Sequence, residues 1–262
     1  TKLLINNTSN VTVGNDTVFA YSTDTTGNIE NRTPLTSTGN KNYGIYAAGN
    51  VTNLANIDFS NGIGNVGIYS TSGGRAINGN TTIRPTIRVS ASDVSDKTNK
   101  FFGIGMAAGY TDDNGITHQI GTIENYGTIK VDKDDSIGMY ATGSGSKAIN
   151  RGTIELSAKR TVGMYLDNGA IGENYGTIKT VPNPTNDGII GVTVLNGSII
   201  KNYGTIEISG NNNTGIYLAR GTREGADPIA TDGATDIQTK KRADTSKKIN
   251  GVEIKAPGDG LS

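Results

Sequence analysis

The chain has 262 residues, of which 37 are Gly and 29 are Asn, and it carries 24 basic and 24 acidic residues. The zero net charge and the absence of a Lys/Arg-rich stretch argue against a nucleic-acid partner. With no Cys and one His, the chain cannot form a disulfide, a Cys-ligated zinc site or a His-rich metal site, and we expect no metal and no cofactor.

Two short motifs alternate along the chain. The Asn motif is an Asn followed four positions later by an aliphatic residue, and it begins at residues 7, 31, 53, 78, 125, 150, 174, 202 and 250, with weaker copies at 31 and 78. The Gly motif, G-[IM]-Y-[ASL], begins at residues 44, 67, 138, 163 and 215, with degenerate copies near 18, 105 and 191. The Asn motif recurs about every 24 residues, and this spacing roughly doubles at two places, so the pattern indicates a solenoid of about nine coils.

The residues after each Asn motif alternate between apolar and polar, with the period of a strand. Ile154 and Leu156 share one face, and Glu155 lies on the other. In the Gly motif, the same alternation places Ile137 and Met139 inward and Tyr140 outward. We therefore predict an all-β parallel β-helix, in which each coil supplies two or three short strands separated by Gly/Asn turns.

This fold explains the composition, because a β-helix buries only one layer of inward residues per coil. Asn tolerates the left-handed backbone angles of a corner, and amides stacked along the axis can hydrogen-bond to one another. We predict that a structural Asn ladder runs through Asn125, Asn150, Asn174 and Asn202.

The repeated N-Y-G-T-I and I-G-[IM]-Y-A units resemble the large fusobacterial-type autotransporter adhesins of the type Va secretion family. The similarity is clearest over residues 42–218. It implies right-handed, three-sided coils and a passenger segment, residues 1–262, displayed on the bacterial surface. It also implies anchoring to the outer membrane through a β-barrel absent from this chain. Host-cell or bacterial surface glycans or proteins are the implied partners.

Four stretches interrupt the repeat and are predicted to be insertions, namely residues 85–102, 110–119, 182–187 and 221–248. Long loops on a regular scaffold commonly carry binding. The largest insertion and the residue before it carry a dense cluster of both charges, which includes Arg220, Arg223, Glu224, Asp227, Lys240, Lys241 and Arg242. A solvated loop is the simpler interpretation, and partner recognition is the alternative.

Tyrosines form a second candidate for partner binding. Tyr46, Tyr69, Tyr140, Tyr165 and Tyr217 occupy the same outward position of the Gly motif. They should stack about 4.8 Å apart wherever coils are adjacent. A further row near the Asn corner contains Tyr126, Tyr175 and Tyr203, with Tyr43 beside it. Such rows stabilise a sheet by stacking, or they can bind sugar rings or a protein.

Enzyme chemistry has weak support in the sequence. Glycoside hydrolysis needs two carboxyl groups within about 5 to 10 Å. Acidic groups such as Asp112 with Asp113, and Asp132 with Asp134 and Asp135, fall in turns and not in a cluster repeated across adjacent coils. His118 lacks a nucleophile motif around it, and Asp132, Asp134 and Asp135 lack the calcium-binding nonapeptide. We expect an adhesin segment without catalytic residues, and the alternative is a secreted β-helical lyase or glycosidase acting on polysaccharides.

Overall fold

The computed structural model describes residues 1–96, 99–112, 114–182 and 187–219, together with two short strands between residues 247 and 254. The chain is all-β and winds as a parallel β-solenoid of eight coils, so the predicted parallel β-helix is confirmed. Each coil contributes one strand to each of three eight-stranded sheets. Within the described residues, no helix has the length and apolar character needed to cross a membrane.

The strands follow one another in the same order in every coil. The first sheet consists of β1 (Lys2–Ile5), β4 (Asn28–Asn31), β7 (Asn50–Asn53), β10 (Arg75–Asn78), β15 (Thr122–Asn125), β18 (Lys147–Asn150), β21 (Ile171–Asn174) and β24 (Ile199–Asn202). The second sheet consists of β2 (Val11–Val13), β5 (Leu35–Ser37), β8 (Ile57–Asp58), β11 (Thr86–Arg88), β16 (Thr128–Val131), β19 (Thr153–Leu156), β22 (Thr177–Thr180) and β25 (Thr205–Glu207). The third sheet consists of β3 (Val18–Ser22), β6 (Tyr43–Ala47), β9 (Val66–Ser70), β12 (Ile104–Ala108), β17 (Ile137–Thr142), β20 (Val162–Asp167), β23 (Ile190–Leu195) and β26 (Thr214–Ala219).

The core is a narrow stack of inward side chains, with one layer per coil. In the fifth coil Ile123, Ile129 and Met139 come from the three sheets, and all three are fully buried. The following coil repeats this layer with Ala148, Ile154 and Met164. Burial of one aliphatic side chain of this size contributes about 1.5 to 3 kcal/mol.

The Asn corner carries a continuous ladder of side-chain amides. Each amide nitrogen donates to the amide oxygen on the next coil, and the six hydrogen bonds measure 2.8 to 3.0 Å. The ladder contains the four predicted residues and extends to three earlier ones, so that it runs through Asn31, Asn53, Asn78, Asn125, Asn150, Asn174 and Asn202. Stacking therefore satisfies amides that would otherwise be buried without partners.

The predicted alternation is wrong at the start of the third-sheet strands. Ile137 packs in a separate cluster with Tyr140 and Tyr165, whereas Met139 lies in the core. Gly138 faces inward as well, because a β-carbon there would come within 3.0 Å of Ile154 Cγ2. Two consecutive inward residues, Gly138 and Met139, thus shift the alternation and send Ile137 outward.

The described residues form eight coils, compared with the nine or so predicted. The strand β28 (Val252–Ile254), which lies within the last Asn motif, pairs antiparallel with β27 (Lys247–Ile249) and belongs to none of the three long sheets. The rest of that motif lies outside the described residues.

The first predicted insertion, residues 85–102, contains β11 and therefore begins too early. After Asn78 the chain makes an additional turn, in which Asn80 Oδ1 accepts hydrogen bonds from the backbone of Thr82 and Ile83. Because of this turn, the second-sheet strand begins later in the sequence. Its buried aliphatic residue is Ile87 and not the residue four positions after Asn78.

The predicted insertion 110–119 forms a hairpin of β13 (Tyr110–Thr111) and β14 (Thr117–Gln119). Of the predicted insertion 182–187, residues 183–186 lie outside the described part of the chain. The insertion 221–248 lies outside it as well, apart from the backbone of residues 247 and 248 in β27.

Candidate functional site

The outer surface of the third sheet differs from that of the second sheet. On the second sheet, the outward column alternates in charge over the last four coils, where Glu155 lies 4.0 Å from Lys130 and 3.6 Å from Lys179. On the third sheet, the outward columns carry tyrosines and aliphatic side chains, and Tyr21, Tyr46 and Tyr69 align in register. The third sheet therefore presents an outer surface with aligned aromatic rings.

Tyrosines of the first three coils pack against each other on this surface. The rings of Tyr46 and Tyr69 stack with centroids 4.8 Å apart and an interplanar angle of 27°. Tyr21 extends the stack at 5.4 Å from Tyr46 and is 62% exposed. Tyr43 meets the rings of Tyr46 and Tyr69 edge-on at 5.5 and 6.0 Å. Tyr43 thus belongs to this surface and not to the row at the Asn corner, where we had placed it.

The hairpin β13–β14 continues the aromatic surface. The Tyr69 hydroxyl donates a 2.7 Å hydrogen bond to the carbonyl of Gly109, the residue that precedes the hairpin. Tyr110 stacks on His118 at 5.7 Å, and its side chain is about half exposed. We call the set Tyr21, Tyr43, Tyr46, Tyr69, Tyr110 and His118 the aromatic face.

Neighbouring coils hold the hairpin in place. Gln119 Oε1 accepts a hydrogen bond from the Ser72 hydroxyl, and the Ile120 carbonyl accepts one from the backbone of Gly73. Inside the hairpin, Asp112 accepts backbone hydrogen bonds from Asn114 and Ile116 and lies 2.8 Å from His118 Nε2. The hydrogen bond from His118 is the largest of the effects that lower the pKa of the Asp112 carboxyl. The hairpin is therefore a fixed projection from the rod.

The phenols of Tyr43, Tyr46 and Tyr69 stay neutral at physiological pH, because burial raises the pKa of each hydroxyl. The adjacent phenols of Tyr46 and Tyr43 raise the pKa of the Tyr69 hydroxyl further. Neighbouring phenols also raise the pKa of Tyr46. These three residues offer apolar rings with uncharged hydroxyl groups.

The later tyrosines of the predicted row are covered. Ala107 interrupts the row between Tyr69 and Tyr140. Beyond this gap, Tyr165 and Tyr217 are each only 5% exposed and pack in an outer hydrophobic cluster. This cluster contains the aliphatic residues Ile137, Val162, Ile190 and Leu195. Of the five predicted binding tyrosines, Tyr46 and Tyr69 thus lie in the aromatic face, and Tyr140 is partly buried against the outer cluster. Tyr165 and Tyr217 are too buried to contact a partner.

The loop 91–103 supplies part of this cover. Val94 and Phe102 pack against the outer cluster, which includes Ile137. The loop closes on itself through an antiparallel bridge between Asp93 and Phe101. The Phe101 ring lies 3.9 Å from Lys41 Nζ, so the loop also reaches back to the second coil.

The second tyrosine row follows the Asn corner and includes an arginine. Tyr175 and Tyr203 stack at 4.9 Å and are 42% and 64% exposed. The Arg151 guanidinium lies 4.5 Å from the Tyr175 ring and 5.9 Å from the Tyr126 ring. Arg151 therefore occupies the place of a ring in this row and joins its two parts.

The acidic residues weighed for calcium binding face arginines. Arg88 Nη2 lies 2.6 Å from Asp132, and Arg160 binds both oxygens of Asp135 at 2.6 and 2.8 Å. Asp134 lies 3.8 Å from Arg160. In the described part of the chain, no group of three or more His, Cys, Asp or Glu side chains could hold a metal ion. These carboxylates serve as ion-pair partners in the structure.

The predicted mixed-charge residues of the largest insertion lie outside the described residues, and they are Arg220, Arg223, Glu224, Asp227, Lys240, Lys241 and Arg242. Three members of the aromatic face were absent from the predicted sites, namely Tyr21, Tyr110 and His118. Tyr21 sits in V-F-A-Y, the degenerate copy of the Gly motif near residue 18, in which Phe19 replaces the Gly, and its place in the tyrosine row was missed for that reason. Alternation of Tyr110, Asp112 and His118 around an N-G turn could have revealed the hairpin.

Comparison with known proteins gives one partial similarity. The family model described as the BigA third pectate lyase-like domain matches residues 59–177, somewhat less than half of the chain. The matched stretch contains the loop 91–103 and the hairpin β13–β14. Neither the curated proteins nor the solved structures gave a match. Together with the solenoid, the similarity to the BigA domain supports a β-helical passenger of the autotransporter type.

Proposed function

We propose that this chain is a segment of a bacterial cell-surface adhesin, in which a rigid β-helical rod carries the aromatic face toward other bacteria or host cells. The rod is part of an exported passenger held at the outer membrane, and its repeats are of the fusobacterial autotransporter type. Similarity to a BigA domain supports this proposal, because BigA is an autotransporter adhesin. Surface proteins or glycans are the partner classes.

One observation carries the proposal, namely that aromatic side chains remain exposed on a rigid support. Tyr21 and Tyr110 are 62% and 51% exposed, yet each packs against a ring neighbour. Rings held in this way lose little conformational entropy when they bind a partner. Tyrosine combines an apolar body with a polar tip, and it is enriched at protein interfaces.

The alternative is a polysaccharide-active enzyme, which the description of the matched domain as pectate lyase-like keeps open. Acid and base catalysis on a glycoside needs a pair of carboxyl groups flanking the bond. Carboxylates on the outward faces of the sheets instead pair with basic side chains, as Glu124 does with Arg75 and Arg151. Incubation with polygalacturonate and with β-linked glucans, followed by measurement of new reducing ends or unsaturated products, tests this alternative.

Cell attachment of beads coated with the chain tests the adhesin proposal. The double variant Tyr21→Ser and Tyr46→Ser removes two rings of the aromatic face without touching the core. The matched control, Tyr175→Ser and Tyr203→Ser, removes a stacked and exposed pair at the Asn corner. We expect the first variant to reduce attachment at least about tenfold, which corresponds to about 1.4 kcal/mol of binding free energy. Equal attachment by both variants and the unaltered chain would refute the role of the face.

A further inference from the structure

We propose that the partner segment bound by the aromatic face is an extended stretch of polypeptide with uncharged apolar side chains, and not a carbohydrate. This inference rests on the proposed function of that face in attachment. Three observations support it: what covers the same columns further along the rod, how the rings are used, and where the polar groups are engaged.

The same outward column already binds a peptide segment inside the molecule. Val18, Tyr43, Val66, Ile104 and Ile137 are in register on successive coils of the third sheet. At the later coils of this column, the loop 91–103 lays Val94 and Phe102 against the outer cluster.

At the first coil, Val18 is 40% exposed, and the tyrosine beside it in the same strand, Tyr21, is 62% exposed. The exposed surface is thus the uncovered continuation of an intramolecular interface between a sheet and a loop. The side chains that this loop packs against the outer cluster, Val94 and Phe102, are apolar and aromatic, and the preferred occupant should present the same chemistry.

The rings of the face are poorly placed for sugars. A sugar ring stacks on the flat face of an aromatic ring, but Tyr46 and Tyr69 stack on each other at 4.8 Å. Tyr43 covers the same pair edge-on, and Tyr110 stacks on His118. Ring faces that pack against one another are not open to a sugar, whereas ring edges pack well against aliphatic and aromatic side chains.

The carboxylate beside the face is engaged within the protein, because Asp112 uses one oxygen for two backbone amides and the other for His118. The Tyr69 hydroxyl donates to the carbonyl of Gly109. Sugar recognition depends on polar groups placed to bond the hydroxyls of the ligand, and these two groups are already used.

The size of the surface sets the expected length and affinity of the segment. The first to the fourth coil span about 14 Å along the axis, which an extended peptide crosses with four or five residues. A contact of this size is far below the interface area of a stable complex, so we expect a dissociation constant in the micromolar range or weaker. Many copies on one cell would raise the effective affinity.

The test uses the whole chain and three probes. The first is a synthetic peptide of about ten residues in which Phe and Val alternate with Ser, so that one edge is apolar when it is extended. The second replaces Phe and Val with Glu, and the third is a β-1,4-linked glucose hexasaccharide. Binding is measured by NMR through the shifts of the tyrosine ring resonances.

We expect the apolar peptide to bind, and the acidic peptide and the oligosaccharide to leave the ring resonances unmoved. Affinity for the apolar peptide should fall at least about tenfold in the Tyr21→Ser and Tyr46→Ser variant and stay unchanged in the Tyr175→Ser and Tyr203→Ser control. Absence of peptide binding, equal binding by both variants, or oligosaccharide binding that the first variant abolishes would each overturn the inference. If the first variant loses cell attachment but the peptide does not bind, the adhesin proposal stands and the partner class is wrong.

Discussion

A β-carbon on Gly138 would lie 2.6 Å from the carbonyl oxygen of Gly163 on the next coil. The same close approach recurs between Gly105 and Gly138 at 2.6 Å and between Gly163 and Gly191 at 2.5 Å. The Gly of the Gly motif is thus required by the distance between coils. It also adds an inward position, so that the residue before it points outward, which is Tyr43 in the second coil and Ile137 in the fifth.

We predict that Gly138→Ala destabilises the fold by at least about 2 kcal/mol, because the added methyl group has only backbone and buried side chains to displace. The measurement is chemical denaturation of the purified chain. Gly14→Ala is the matched control, since a β-carbon there meets nothing within 4 Å. We expect that control to be neutral or slightly stabilising, and similar losses for both variants would contradict the steric explanation.

The Asn ladder predicts that Asn→Ala destabilises the fold more inside the ladder than outside it. Asn150 is fully buried and bonds to Asn125 and Asn174 at 3.0 and 2.9 Å. Asn150→Ala removes the ladder partner of the Asn125 amide nitrogen, which keeps its hydrogen bond to the Gly127 carbonyl, and leaves the amide oxygen of Asn174 without its donor. We expect a loss of about 2 to 4 kcal/mol, since each buried unsatisfied group costs about 1 to 3 kcal/mol.

The control for the ladder is Asn50→Ala. Asn50 is exposed at the start of β7 and has no ladder partner among the described residues. Its substitution should change the unfolding free energy by less than about 0.5 kcal/mol. If Asn50→Ala and Asn150→Ala shift the denaturation midpoint equally, the ladder contributes nothing beyond the corner conformation.

The inward and outward faces of the second sheet allow a test of the core. Ile154 is fully buried, whereas its neighbour Glu155 is half-buried and paired with Lys130 and Lys179. Ile154→Asp places a charge in a stack one residue wide and should abolish folding, with a loss above about 4 kcal/mol. Glu155→Ala should cost less than about 1 kcal/mol.

Ile206→Asp should be milder than Ile154→Asp, because Ile206 belongs to β25 in the last coil and is only half-buried. Circular dichroism and thermal unfolding of the two aspartate variants check this order. Equal effects at both positions would mean that depth in the stack does not govern stability.

The sequence was sufficient to predict the repeat, because the physical demands of each coil are local. The Asn at the corner and the alternation of Ile154 with Glu155 both depend on the strand geometry of a few residues. The position of the Asn ladder follows from the same local pattern, because each Asn motif places one Asn at the same corner of its coil.

The candidate site was harder to predict, because it depends on contacts distant in sequence. Tyr165 and Tyr46 have the same local motif, but only Tyr165 is buried, in a cluster that later chain segments complete. The inward residue of β11 is Ile87, later in the sequence than expected, because a turn centred on Asn80 lengthens one corner. The turn and the loop 91–103 both lie between Asn78 and Asn125, where the spacing of the Asn motif doubles. The sequence therefore marks an irregular coil there but does not show which residues fold back onto the sheet.

The last prediction concerns acid, and it follows from the pair of arginines around Glu124. Burial raises the pKa of the Glu124 carboxyl, but hydrogen bonds from Arg151 and Arg75 lower it more strongly, so the net shift is downward. Because the pKa is lower in the folded state than in the unfolded state, this carboxylate stabilises the fold above the unfolded pKa, which is about 4.3. That stabilisation is lost as the pH falls from about 4.3 through the folded pKa.

We therefore expect Glu124→Gln to destabilise the chain at pH 7, and we expect the difference from the unaltered chain to shrink as the pH falls below about 4.3. The variant keeps the side-chain volume but leaves Arg75 and Arg151 without their charged partner. Glu207→Gln, on an exposed side chain of β25, is the control and should change stability little at any pH. Denaturation series at pH 7, 5 and 3 measure both differences. A destabilisation by Glu124→Gln that is equally large at pH 3 would show that hydrogen bonding alone, and not the charge on Glu124, holds the two arginines.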